Sequence, residues 1–142
     1  MRLDPLFRCA IYVAVGALFA SGVAWLVADP LKDGPNGEVW QAVTAELLMV
    51  HGGLAMVILL LLGALFPVHV RGGWRKRTNR ITGTTMVTLN AVLIVTAFGL
   101  YYAGSDVLRP WMSDVHLGFG LALPVLLLAH IVVGRRNRNL GR

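Results

Sequence analysis

Four stretches of this chain contain no Asp, Glu, Lys or Arg: Cys9–Ala28, Leu47–Val70, Ile81–Ser105 and Val115–Gly134. Each is at least as long as the ~20 apolar residues that a helix needs to cross a hydrocarbon core of ~30 Å. Hydrocarbon offers no water to backbone N–H and C=O groups, and a helix satisfies all of them inside one segment. The pattern predicts an all-α integral membrane four-helix bundle, with helices over residues 6–27, 41–70, 81–103 and 110–134. Short connections then leave residues 1–142 as a single membrane domain. An ordinary soluble domain is excluded, because only 14% of residues are charged against about 25% in soluble proteins.

The basic residues fall on one side of these spans. Arg2, Arg8, Arg71, Arg75, Lys76, Arg77, Arg80, Arg135, Arg136, Arg138 and Arg142 share it, whereas only Lys32 and Arg109 lie on the other. Lys and Arg collect on the cytoplasmic side of membrane proteins, so both termini and the 71–80 loop are expected there. The acids Asp29, Asp33, Glu38, Glu46, Asp106 and Asp114 occupy the opposite side. The net charge of +6 thus reports topology and contact with anionic lipid or an acidic partner. It gives no reason to expect nucleic acid. The first stretch, preceded by Arg2 and Arg8, is longer than a usual signal-peptide core and reads as a retained helix.

Local signals mark the ends of the spans. Asp29-Pro30 closes the first, and a turn-rich loop with Gly34, Pro35, Asn36 and Gly37 follows. Gly16, Ala20 and Gly22 on the first span let a neighbouring helix or a flat ring approach closely. Pro67 lacks an N–H, which frees the carbonyl of Gly63 and predicts a bend late in the second span. The third span has a polar face formed by Thr84, Thr85, Thr88, Asn90 and Thr96. Trp40, Tyr101, Tyr102 and Trp111 are placed as interfacial anchors. Pro110 is a favoured first-turn residue for the fourth span, which is expected to stop at Gly134-Arg135.

All four histidines lie in two of the spans. His116 and His130 are fourteen residues apart, so on a helix they share a face and stand ~21 Å apart along its axis. His51 and His69 are eighteen apart, and eighteen steps of ~100° also return to one face. The second and fourth spans run in the same direction. Counting back from Arg71 and Arg135 puts His51 and His116 at nearly equal depth. His69 and His130 differ by three residues in that count, which a tilt or the Pro67 bend absorbs. Two bis-histidine sites are therefore possible, an outer one from His51 and His116 and an inner one from His69 and His130.

Haem b explains this layout best, as two haems or one. A porphyrin is broad, flat and apolar, and Gly52 and Gly53 follow His51 as Gly118 and Gly120 follow His116. Arg109 and Lys32 are candidates to meet propionates outside, with Arg71, Arg75 and Arg135 inside. Two axial imidazoles suit electron transfer, since six-coordinate iron has no open position for substrate. Zinc is a weaker reading, because histidine pairs without a carboxylate or thiolate do not complete a tetrahedral site. The chain has one cysteine, Cys9, and no Cys-x-x-Cys-His, which excludes covalently attached haem.

The four-span pattern, with Val-His116-Leu-Gly-Phe-Gly and His130 before a basic tail, resembles the bacterial di-haem b-type cytochromes. These are the membrane subunits of formate dehydrogenase and nickel–iron hydrogenase and related small cytochromes. The resemblance implies that the two histidines of the fourth helix ligate stacked haems, and that a second-helix histidine, matched by His51, completes the outer site. It also implies an inner ligand at the start of the first helix, ahead of a Ser-Gly or Thr-Gly pair. Ser21-Gly22 is present, but counting back lands on Arg8, beside Cys9. Either His69 substitutes or only the outer haem is held, and the shared face of His51 and His69 favours substitution.

What the resemblance implies for function is electron transport in a respiratory chain of the bacterial inner membrane. The multi-pass chain would pass electrons between a partner dehydrogenase, iron–sulfur or cytochrome subunit and the quinone pool. The Thr84–Asn90 face is a candidate for the quinone. Catalysis by the chain alone is not expected, as no nucleophile–base pair or phosphate loop is present. The competing readings are a haem-free membrane anchor or assembly subunit of a respiratory complex, and a small transporter. The transporter lacks the carboxylate in the membrane core that such proteins use.

Overall fold

The computed structural model describes residues 4–75, 77 and 79–140, the side chains of 138–140 excepted. Arg2, Lys76 and Arg142, and the side chain of Arg138, fall outside the described part of the basic set. Every regular element is helical: α1 (Pro5–Ala28), α2 (Gly37–Leu65), α3 (Arg71–Arg75), α4 (Arg80–Tyr102) and α5 (Leu108–Leu140). A 3₁₀ turn covers Asp29–Asp33 and a π-helical turn covers Phe66–Val70. Among the described residues, four helices are long and apolar enough to cross a membrane. The chain divides into two compact units, Met1–His69 and Val70–Arg142. In the first, α1 packs on α2, and in the second α4 packs on α5.

The expected helix limits hold to within a residue or two for α1 and α4 and differ for α2 and α5, for identifiable reasons. α1 starts at Pro5 because the Asp4 carboxylate accepts from the N–H groups of Leu6 (2.9 Å) and Phe7 (3.3 Å), a side-chain N-cap. α2 starts early, at Gly37, and stops at Leu65 rather than running to 70. Pro67 sits in the π-helical turn that follows, where the missing N–H interrupts the α-helical ladder. α5 continues past Gly134, so that glycine is no stop signal. A Cβ at position 134 would come within 3.3 Å of the Asn79 side chain. Asn79 precedes α4 in the left-handed region, with φ of 53°. The Asn137 amide donates to its side-chain oxygen. Gly134 thus admits the residue that opens α4.

Each hairpin is held by a seam at seven-residue intervals, the spacing that keeps one side of a helix against a partner. In the first unit the buried residues of α1 are Ala14, Ser21 and Ala28, and those of α2 are Thr44 and Ile58, with His51 midway between. A hydrogen bond joins Ser21 to His51. In that antiparallel register Ala14 falls level with Ile58, and Ala28 with Thr44. In the second unit Leu89 and Leu123 are buried at 2% and 7% exposure. They lie level with one another between the hydrogen-bonded pairs Thr82–His130 and Thr96–His116. Met112 of α5 fills the notch left by Gly99 of α4.

The opposite faces are apolar and open within each unit, as at Met56 (70% exposed), Leu60 (77%), Phe98 (66%) and Val125 (67%). Such surface is what acyl chains cover, and it is consistent with a multi-pass membrane protein. The polar residues inside the spans bond to their own helices. Thr44 donates to the Trp40 carbonyl, Thr85 to Ile81 and Asn90 to Met86. Much of the polar face anticipated on the third span is therefore satisfied locally, by hydroxyl or amide bonds one turn back.

The loop between α1 and α2 depends on one glycine. Lys32 and Asp29 form an ion pair in the 3₁₀ turn. A Cβ at Gly37 would fall on the Lys32 carbonyl oxygen, a backbone atom that cannot swing aside. Gly37→Ala is therefore expected to destabilise the first unit by about 1–3 kcal/mol. Thermal denaturation in detergent, followed by far-UV circular dichroism, would show this as a lower midpoint.

Candidate functional site

Three histidines are hydrogen-bonded in the same way. The Nδ1 atom of His51 lies 2.9 Å from Ser21 Oγ. That of His116 lies 2.9 Å from Thr96 Oγ1, and that of His130 lies 3.0 Å from Thr82 Oγ1. In each case the hydroxyl comes from the facing helix of the same hairpin. Ser21 and Thr96 are buried, at 7% and 4% exposure. The third buried polar residue among those described is Thr44, so two of the three most enclosed polar side chains face an imidazole.

Each hydroxyl also reaches a backbone carbonyl of its own helix. Ser21 Oγ lies 2.9 Å from the Leu18 carbonyl oxygen. Thr96 Oγ1 lies 2.8 Å from that of Val92 and 3.2 Å from that of Leu93. A hydroxyl that gives its hydrogen to the carbonyl accepts Nδ1–H from the imidazole, and one that turns its hydrogen to Nδ1 meets the other tautomer. In the first arrangement the lone pair of the neutral imidazole is on Nε2. Thr82 follows the same scheme more weakly, since its bond to the Asn79 carbonyl is 3.4 Å.

A metal-ligating histidine characteristically gives its second ring N–H to a neighbour, which fixes the tautomer and the ring orientation. His51, His116 and His130 each have a hydroxyl beside Nδ1 as such a neighbour, and this arrangement fits the axial imidazoles of a haem. No group of three or more His, Cys, Asp or Glu able to hold a metal ion occurs among the described residues. A porphyrin asks for only two protein ligands, because its own nitrogens fill the equatorial positions.

His69 differs in setting. It lies in the π-helical turn, exposed, beyond the end of α2. The register that sets Ser21 level with His51 carries position 69 beyond the start of α1 at Pro5. The return to the face of His51 assumed an unbroken α-helix, and the π-helical turn covers the last residues between the two.

The glycines also separate. Gly118 is two residues from His116 and so lies on nearly the opposite side of α5, whereas Gly120 is ~40° from it. A Cβ at Gly53, Gly118 or Gly120 would meet nothing within 4 Å, and Gly52 is half-buried. Gly118 instead lines a groove of about 490 Å³ between α4 and α5, with Thr85, Thr88, Trp111, Asp114 and Phe119. The glycine that touches a histidine is Gly22 on the facing helix. A Cβ there would come 3.1 Å from His51 Cε1.

Of the candidate cations, Arg109 is exposed in the first turn of α5. Arg71 opens α3, and Arg135 is exposed late in α5. Lys32 is engaged with Asp29. Arg80 stacks over the Trp74 ring, 5.8 Å from its centroid, and donates to the Trp74 carbonyl.

The sequence reading missed the hydroxyl partners, although a signal was present. Thr82 and Thr96 are fourteen residues apart, as are His116 and His130, so two antiparallel helices bring both pairs level at once. No family model, curated protein or solved structure matches the chain.

Gly22 supplies the test of this packing. Gly22→Ala requires the His51 ring to yield by a few tenths of an ångström, whereas Gly22→Val drives two further methyl groups toward it. The valine variant is expected to lose about 1–3 kcal/mol and the alanine variant less, read as successive falls in the thermal midpoint.

Proposed function

We propose that this chain is a membrane b-type cytochrome subunit that passes electrons between a partner redox protein or dehydrogenase and the quinone pool. The observation that carries this reading is the repeated hydrogen bond between an imidazole Nδ1 and a hydroxyl of the facing helix, at His51, His116 and His130, all in apolar spans. Ionisable groups placed in hydrocarbon are functional by default, because keeping them there is costly. His51 and His116 are the outer axial ligands in this reading, and His130 and His69 the inner ones. Haem b, when bound in bis-histidine form, supplies a one-electron ferric–ferrous couple.

The chain's own residues do the remaining work. The hairpin seams hold the imidazoles in orientation, and the apolar spans keep water from the ring faces. Arg109, Arg71 and Arg135 provide positive charge for propionates at the two interfaces. Gly52 and Gly120 keep the helix surfaces low where a flat ring lies against them. The basic residues put both termini in the cytoplasm of a bacterial inner membrane. The connections are short, so the substrate chemistry belongs to a partner subunit. A haem-free anchor or assembly subunit is the competing assignment.

Reduced-minus-oxidised spectra of the detergent-purified protein separate the two. The cytochrome reading predicts a Soret band with a sharp α band in the reduced state. It also predicts that His51→Ala and His116→Ala each abolish the outer share of that absorbance. A colourless wild-type protein, or full absorbance in both variants, sinks it.

A further inference from the structure

We propose that Ser21 and Thr96 are positioning residues, which hold His51 and His116 as the Nδ1–H tautomer and so present Nε2 as the donor to haem iron. The inference rests on the cytochrome reading and goes beyond it by naming what sets the ligands' protonation. Each hydroxyl is nearly enclosed, at 7% and 4% exposure, and lies 2.9 Å from its Nδ1. Each is itself oriented by a backbone carbonyl, Leu18 for Ser21 and Val92 for Thr96. In the proposed arrangement the chain of bonds runs one way, from ring N–H to hydroxyl oxygen and from hydroxyl hydrogen to carbonyl.

The direction has a chemical consequence. With the hydroxyl hydrogen on the carbonyl, Nδ1–H has its acceptor. The alternative tautomer, with its proton on Nε2, requires the hydroxyl to turn that hydrogen from the carbonyl to Nδ1. That tautomer cannot ligate iron through Nε2. A neutral hydroxyl is also a weaker acceptor than a carboxylate, so it orients the ring without pulling the proton far from it. The placement recurs in both hairpins: the hydroxyl sits on the first helix and the histidine on the second, thirty residues on in one hairpin and twenty in the other. Ser21 and Thr96 occupy the seam positions, where hydroxyls are otherwise exchangeable for alanine or valine at little steric loss. Their identity is explained by the imidazoles they face.

The test uses the full chain in detergent with ¹⁵N-labelled histidine, read both without haem and during titration with haemin. In the wild type, Nδ1 of His51 and His116 is expected to carry the proton in the haem-free protein. Thr96→Val removes the acceptor while keeping the shape. It should mix the tautomers of His116, weaken haem retention by about 10–100-fold and raise the midpoint potential, because the ligand becomes less basic. Thr96→Ser should restore all three. Ser21→Ala reads the same effect through His51 in the other hairpin, and it carries the test if the valine variant does not fold. Wild-type tautomers and wild-type haem affinity in both variants overturn the positioning role while leaving the cytochrome reading intact. A wild-type protein that shows the Nδ1–H tautomer yet takes up no haem overturns the cytochrome reading, and the role toward iron with it.

Discussion

A histidine inside an apolar span must give its ring N–H to some acceptor of the protein itself, since the surroundings offer none. The architecture of both hairpins follows from that requirement. Ser21 and Thr96 answer it for His51 and His116 from the facing helix. To do so they must occupy the seam, where a hydroxyl is enclosed and its hydrogen goes to a carbonyl one turn back. An unsatisfied polar group in such a place costs about 1–3 kcal/mol, comparable to losing a buried methyl-bearing side chain. The hydrogen-bonded pair therefore constrains which residues can be neighbours along the whole seam. Small residues, Ala14 and Ala28, stand one heptad either side of Ser21, and Leu89 stands between Thr82 and Thr96.

The apolar packing and the polar pairs thus share one register instead of competing. In an aqueous protein a serine opposite a histidine could be replaced by bridging water. In a span the partner has to be covalently part of the chain, and its depth is fixed by the helix that carries it. This is why Thr82 and Thr96 repeat the fourteen-residue interval of His116 and His130. Antiparallel helices preserve equal intervals, so a second polar pair can be added without shifting the first.

Much of this could be read in the chain before its fold was known. The charge-free stretches gave four helices because length and hydropathy alone decide them. The histidine spacing singled out residues that three interhelical hydrogen bonds hold in place, because a helix of constant pitch converts intervals into faces. The failures trace to local departures from constant pitch and to contacts between helices. Pro67 falls in a π-helical turn, so α2 stops at Leu65 and His69 lies beyond the unbroken α-helix that its spacing assumed. Gly134 looked like a stop and is instead a clearance for Asn79. Gly118 was grouped with His116 by sequence proximity, yet two residues along a helix is half a turn, and it lines a groove on another face. The hydroxyl partners were invisible to a reading of single spans, because a serine bonded to a histidine thirty residues away looks like any other serine in a helix.

The central claim is that these imidazoles are iron ligands and not simply polar glue between helices. The most direct measurement is the pyridine haemochrome content per chain, determined on protein purified from haem-replete cells. The account predicts at least one haem b for each chain, and two where His69 and His130 both ligate. A pure, folded protein with no haem at all would contradict it.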